Sequence, residues 1–471
     1  MLESLRTSSI KLIVTRNEQT AVFMAANYGR LTGKTGVALA TLGPGATNMM
    51  TGVAYAQLGG MPLLVITGQK PIRHSKQGKF QVIDVVAMMK PITKYAASIV
   101  DGVRIPSMIA HALATAEEER PGAVHLELAE DIAGFLVDDS AKPIIHEKIR
   151  RAVPDEKSLK NLIHVLENSK RPMILVGAGA NRKRISKYLT QFIEKYNIPF
   201  FTSQMGKGVV DERLPQYIGT AALTSGDYLH EAIDQADLIL AIGHDTIEKP
   251  TNIIESFLPD KGGAEGGGFQ IPPTPLSQGG TKLVHINFFP AEFDSLYQPD
   301  LQIIGDIGNT MRQLCEATID SSQRDFEQIF TLAKKAKEKV YAPVISKDIM
   351  GPQQLIADIR STMGAEDIVT LDNGLYKVWF ARNYPCYDPN TLLLDNALAT
   401  MGAGYSTGMM AKILYPSSQV VTVTGDGGLV MNLGDLETAV RLGIDLTIIV
   451  LNDNAYGMIK RKQKAHGYQD F

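Results

Sequence analysis

Two aspartates, Asp426 and Asp453, each follow an apolar run rich in β-branched residues, 420–424 and 446–451. Such runs read as strands buried on both faces. The stretch between them reads as a helix, which makes a βαβ unit, and ligands of open parallel sheets bind beyond the carboxyl ends of the strands. Gly425, Gly427 and Gly428 let the backbone turn sharply there and come close to a ligand. Two carboxylates repel a bare anion but suit one carried by Mg²⁺, which takes octahedral oxygen ligands, commonly one or two carboxylates plus phosphate oxygens. The predicted set is Asp426, Asp453, a backbone carbonyl near Ala455 and two diphosphate oxygens. Alone, Gly425-Asp426-Gly427 would be an ordinary strand-end turn with an acid at a helix cap. The Asn452-Asp453-Asn454 run after a full crossover favours the cation.

The elements that must place these residues are also legible. In the last third, a helix at 353–363 precedes a strand at 368–371 that ends in Asp372-Asn373-Gly374. Asn432, with Asp435 three residues on, reads as a helix cap, and Gly443 suits the position just after a helix. Near the start, strands are predicted at 10–15, 37–41 and 63–67. Asn17 caps a helix, and Gly43-Pro44-Gly45-Ala46-Thr47-Asn48 forms a tight loop. In the middle, a helix at 158–167, a strand at 173–176 and a helix at 185–196 flank Gly177-Ala178-Gly179-Ala180. That is half a dinucleotide fingerprint, and without a final glycine it reads as a strand-to-helix turn. The expected fold is α/β: three parallel-sheet α/β domains at 1–145, 155–325 and 343–471.

Composition agrees. A chain of 471 residues suits about three domains. The net charge of −3 gives no reason to expect nucleic acid or an anionic membrane as partner. The two cysteines, Cys315 and Cys386, fall in different predicted domains, which argues against a disulfide scaffold and for a reducing, cytoplasmic location. Neither a secretory leader nor a run of ~20 apolar residues is found. Residues 259–281, rich in glycine and proline, read as a flexible surface loop without catalytic duty.

Gly425-Asp426-Gly427 followed by Asn452-Asp453-Asn454 resembles the Mg²⁺–diphosphate motif of thiamine-diphosphate enzymes. The resemblance implies a pyrimidine-binding first domain, a central domain and a diphosphate-binding last domain. It implies cofactor contacts from Gly45, Gly425, Asp426, Gly427, Gly428, Asp453, Ala455, Tyr456, Gly457 and Met458. Met401 resembles the family's bulky apolar residue wedged beneath the cofactor; otherwise it is a core methionine. Arg16-Asn17-Glu18-Gln19-Thr20-Ala21 resembles the segment bearing the catalytic glutamate. Glu18 would then bond the cofactor pyrimidine of another subunit and promote loss of the thiazolium C2 proton. Taken alone, Glu18 is a first-turn acid facing the helix dipole. Many relatives have histidine before this glutamate; Asn17 cannot titrate.

The loop at 43–48 and Phe80-Gln81 sharpen the resemblance to the acetolactate synthase group. It puts Gln81 at the reacting centre, where otherwise it would be a surface polar group. Glu130 stands where biosynthetic relatives usually carry lysine. Gly243-His244-Asp245-Thr246-Ile247-Glu248-Lys249-Pro250 replaces an arginine-rich segment of flavin-containing relatives. Both departures resemble the flavin-free catabolic branch, so no FAD is expected. His244 reads as a strand-end polar residue, with a substrate-facing role as the alternative. The implied reaction joins two pyruvates into 2-acetolactate and releases CO₂, using thiamine diphosphate and Mg²⁺. A homodimer or homotetramer with its active site between subunits is expected. Alternatives are another 2-oxo acid decarboxylase or carboligase with this cofactor, an inactive truncated paralogue, and a nucleotide-binding protein resting on Gly177 to Gly179. The absence of adjacent histidines disfavours the decarboxylase. Relatives usually begin earlier and continue past Phe471, so both ends are expected to be clipped.

Overall fold

A computed structural model describes residues 2–73, 78–137, 142–144, 151–221, 228–248, 281–293, 297–340 and 350–469. The predicted loop at 259–281 lies outside them but for Thr281, as do Lys76 and Gln77 ahead of Gln81. Fourteen strands are described, most of them at runs of branched and aromatic side chains. They are β1 (Gly36–Ala40), β2 (Leu63–Gln69), β3 (Tyr95–Ile99), β4 (Ala123–Ala129), β5 (Pro172–Val176), β6 (Phe200–Thr202), β7 (Tyr217–Thr220), β8 (Leu238–Ile242), β9 (Lys282–Asn287), β10 (Leu301–Ile304), β11 (Ile368–Leu371), β12 (Leu392–Leu393), β13 (Val420–Gly425) and β14 (Thr447–Leu451). The chain forms two compact units.

The first unit comprises Met1–Arg150, Val369–Gly374 and Ala397–Phe471. Its parallel sheet β1-β2-β4-β3 carries Leu63↔Ala123 and Gly36↔Leu63 in register. In its other sheet β11, β13 and β14 lie side by side in that order, β13 and β14 parallel. Helix Glu18–Thr32 joins the two layers. Its Met24 packs with Tyr405, Met409 and Met410 of helix Ala403–Leu414, and Asn27 Nδ2 donates to Thr407 Oγ1 at 2.9 Å. Segments from the two ends of the chain thus share one core.

The second unit comprises Arg151–Ile368 and Leu375–Asn396. Its six-stranded sheet, order β10-β9-β8-β5-β6-β7, is parallel throughout. Both faces are covered, as continuous apolar strands require. Helices Glu156–Glu167, Lys183–Tyr196 and Ile307–Glu316 pack on one face and Glu327–Val340 on the other.

Three local expectations differ from the structure. Residues 10–15 form no strand; Ile10, Leu12 and Val14 are exposed, and a β-branched run without a ladder partner stays irregular. β14 is half-exposed rather than buried: among the described residues it is the last strand of its sheet and pairs with β13. Asn432 does not cap a helix through its side chain. The crossover helix already starts at Asp426 (Asp426–Met431) and resumes as Leu436–Arg441, and the Asn432 amide donates to Gly402 O at 2.9 Å instead. Gly443 follows that second helix with φ +61, as expected of a left-handed position. No described helix is long and apolar enough to cross a membrane.

Candidate active site

The predicted residues of the first unit fall into two groups. The first gathers at the carboxyl end of β1. Glu18 opens helix Glu18–Thr32, whose Asn17 cap accepts Gln19 N–H at 2.8 Å. Asn48 Nδ2 donates to Glu18 Oε2 at 3.0 Å. Oε1 lies 3.5 Å from where a Cβ on Gly45 would sit, and Thr41 Cγ2 is at 2.9 Å from that point. Glycine at 45 is therefore required by Thr41, and the Glu18 carboxylate lies in ordinary contact beside the Pro44–Asn48 helix. Gln81 is exposed, with φ +58, and its Cβ would stand 3.2 Å from one on Gly43, itself at φ +60. Ahead of Glu18, Arg16 N donates to Asp435 Oδ1 at 2.7 Å and its guanidinium pairs with Glu437 at 2.6 Å. These bonds fix the chain as it enters the helix.

The second group lines the carboxyl edge of β11, β13 and β14, and each strand is followed by an acid: Asp372, Asp426 and Asp453. Asp426 begins a helix, where the first backbone N–H groups have no partner within the helix. A Cβ on Gly427 would lie 3.1 Å from Tyr456 Cε1 and 3.3 Å from Met401 Cε, so those three residues meet. Asp453 Oδ1 accepts Ala455 N–H at 3.1 Å, and Oδ2 would lie 2.6 Å from a Cβ on Gly457. Tyr456 and Met458 are exposed at 58% and 41%, open for contact. Among the described residues no three His, Cys, Asp or Glu side chains converge as a metal cluster, so a cation here would need oxygens from its ligand.

Residues that the sequence reading left without a role also stand here. Asn48, quoted only as loop, touches Glu18. Asp372, seen only as a strand end, accepts hydrogen bonds from Gly402, Asn373 and Thr424. Its signal was its place on the same sheet edge as Asp426 and Asp453.

In the second unit the Gly177 turn is filled by the protein itself. Ala178 N donates to Glu248 Oε1 at 2.9 Å, Ser203 Oγ donates to Oε2 at 2.5 Å, and Gly179 N bonds Gly243 O at 2.8 Å. Burial pushes the Glu248 carboxyl up to about 7 and His244 down to about 4. His244 is a strand-end side chain, 1% exposed, so a substrate-facing role finds no support.

Three family models match along the chain. The N-terminal thiamine pyrophosphate (TPP) binding domain of thiamine pyrophosphate enzymes matches residues 1–88, their central domain 159–314, and their C-terminal TPP binding domain 372–471. Fold and matches together define the three-domain architecture of a thiamine pyrophosphate enzyme. The chain is 30% identical over 474 residues to an acetolactate synthase of Bacillus subtilis, covering 98% of this chain and 78% of that one. It is 29% identical to a probable acetolactate synthase large subunit of Methanocaldococcus jannaschii (98% and 77% covered). It is 28% identical to a catabolic acetolactate synthase of Raoultella terrigena (100% and 82% covered). The chain belongs to the acetolactate synthase family of thiamine-diphosphate enzymes.

Proposed function

We propose that this chain is an acetolactate synthase, joining two pyruvates into 2-acetolactate with release of CO₂. The observation that carries the reading is the 30% identity to the Bacillus subtilis enzyme across 98% of this chain. The geometry supports it. Two acids, Asp426 and Asp453, and an open helix start share one sheet edge, and Gly427 leaves space between Tyr456 and Met401 that a Cβ would fill. This set fits a diphosphate carried by Mg²⁺, the cation taking Asp426, Asp453 and the carbonyl of Ala455. Gly425, Gly427 and Gly428 would offer backbone N–H groups to the phosphates. Tyr456, Gly457 and Met458 would close over them, and Met401 would support the rings from below.

When bound, thiamine diphosphate supplies an acidic thiazolium carbon and an electron sink for the departing CO₂. Glu18 holds a proton at the pyrimidine nitrogen, its carboxylate oriented by Asn48. Gln81 donates its amide to the substrate carbonyl from the loop packed on Gly43. Apolar side chains exposed on the first unit, such as Val430 (66%) and Val440 (82%), support a homodimer or homotetramer with the site between subunits. The Glu248 carboxylate on Ala178 supports a flavin-free protein, since it takes the N–H that a dinucleotide phosphate would use. Stoichiometric yellow absorbance of the purified protein would count against that.

Purified protein incubated with thiamine diphosphate, Mg²⁺ and pyruvate should form acetolactate. Acetaldehyde in its place would identify a decarboxylase, and no turnover would refute the enzyme reading.

A further inference from the structure

Asp372 is 2% exposed and stands between the two loops that the proposed function assigns to the cofactor. On one side lies the turn through Met401. Gly402 N–H reaches both carboxylate oxygens, at 2.8 and 3.0 Å, and Gly402 takes φ +87, a left-handed backbone that favours glycine. The other face of Gly402 is closed by Asn432 Nδ2, 2.9 Å from its carbonyl oxygen. The Met401–Gly402 peptide is therefore held by Asp372, and the next peptide by Asn432. On the other side lies the start of the Asp426–Met431 helix. Thr424 Oγ1, fully buried, stands 3.1 Å from Asp372 Oδ2 and 3.1 Å from Gly425 O, and that Asp372 oxygen would lie 2.6 Å from a Cβ on Gly428. Asn373 N–H adds a bond at 2.7 Å, and the Gly404 backbone also reaches the carboxyl. A buried carboxylate is costly unless several donors surround it. A hydrophobic pair would fill this space with less penalty, so the charge has another use. Its donors come from the turn after β11, from the Met401 turn and from β13, which no apolar residue could tie together with the same directional bonds.

We infer that Asp372 is a positioning residue: it sets the Met401 turn against the Gly425-Asp426-Gly427-Gly428 helix start and so governs the grip on the cofactor. This rests on the proposed function, because it needs both loops to touch thiamine diphosphate. Both Asp372 oxygens already accept protein donors, so its assigned influence on the cofactor is indirect. It acts through the backbone of Gly402 and the hydroxyl of Thr424.

The test is titration of the apo protein with thiamine diphosphate and Mg²⁺ by calorimetry, well below the melting temperature, beside thermal melts without cofactor. D372A removes every acceptor and should raise the cofactor Kd about tenfold or more, as expected for lost bonds to a charged group. D372N keeps the shape and one carbonyl oxygen for the Gly402 and Asn373 N–H groups, and should recover most of that loss. T424V should weaken binding roughly threefold, whereas T424S keeps the hydroxyl and should bind like the wild type. If D372A does not fold, T424V in the wild-type and D372N backgrounds decides the matter: the Thr424 hydroxyl also reaches Gly425 O at 3.1 Å, and an equal rise in Kd in both backgrounds would assign the effect to Gly425 and overturn the inference. A merely structural role would lower the melting temperature and leave the Kd of the folded variants unchanged, and that result overturns the inference. A wild-type protein that binds no thiamine diphosphate overturns the functional reading, and this inference with it.

Discussion

At the scale of single residues, the site depends on which groups stand next to which. Glu18 has its Oε2 engaged by Asn48 and its Oε1 beside Gly45, so its orientation is set by two neighbours. E18Q keeps the shape and removes the acid, and turnover should fall by about two orders of magnitude or more, as for other proton-transfer groups. Near-normal turnover in a steady-state assay would take Glu18 out of the mechanism. In the proposed cation site Asp453 would act through Oδ2, the oxygen that does not accept the Ala455 N–H. D453A should raise the Mg²⁺ concentration for half-activation about tenfold or more; an unchanged requirement would remove it from the cation site. His125 makes a different kind of statement. It is fully buried, bonded to Thr67 Oγ1 at 2.8 Å, and burial pushes its pKa from 6.5 down to about 4. Between those values the unfolded chain binds the proton and the folded chain does not. Stability should therefore fall as pH drops from 6.5 towards 4, by up to about 3 kcal/mol from this residue. H125Q should show a shallower loss of melting temperature between pH 7 and 4.5; an equal loss would assign the acid sensitivity to other groups.

At the scale of elements, small residues decide how closely the layers approach. Helix Ala403–Leu414 runs against the end of β11, and a Cβ on Gly404 would lie 2.6 Å from Asp372 N and 2.8 Å from its Cα. Backbone on both sides cannot yield as a flexible side chain does. G404A should cost about 1–3 kcal/mol, read as a lower melting temperature, and should weaken cofactor binding because the same contact carries Asp372. G427A meets the mobile ends of Tyr456 and Met401 instead and should fold normally, its effect falling on cofactor affinity. A matched loss of stability in both variants would show that the two glycines serve packing alone.

At the scale of the whole molecule, the two units differ in build. The residues assigned to the cofactor are all in the first, built from both ends of the sequence, while the second has its own sheet and apolar core. Thiamine diphosphate with Mg²⁺ should slow hydrogen exchange at 398–402, 425–428 and 453–458, as ligand binding stabilises what it contacts. Uniform slowing across β5 to β10 as well would point to another binding mode. The sequence by itself determined the α/β class, the glycine turns and the acids at the ends of β13 and β14. Those features are local: branched runs extend, glycine permits the turn, and a residue after a strand falls at its end. Glu18 and Gln81 were legible only through their resemblance to a family, since a lone first-turn glutamate or exposed glutamine carries no signal. The tertiary structure alone decided the rest. Asp372 acts on residues 30 and 52 positions away, and Glu248 on one 70 positions away. β14 proved half-exposed and 10–15 irregular because neighbours in the sheet, not propensity, determine whether a branched run is buried or paired. A carboxylate's partners are set by how strands stack, and one chain read in order does not contain that stacking until it folds.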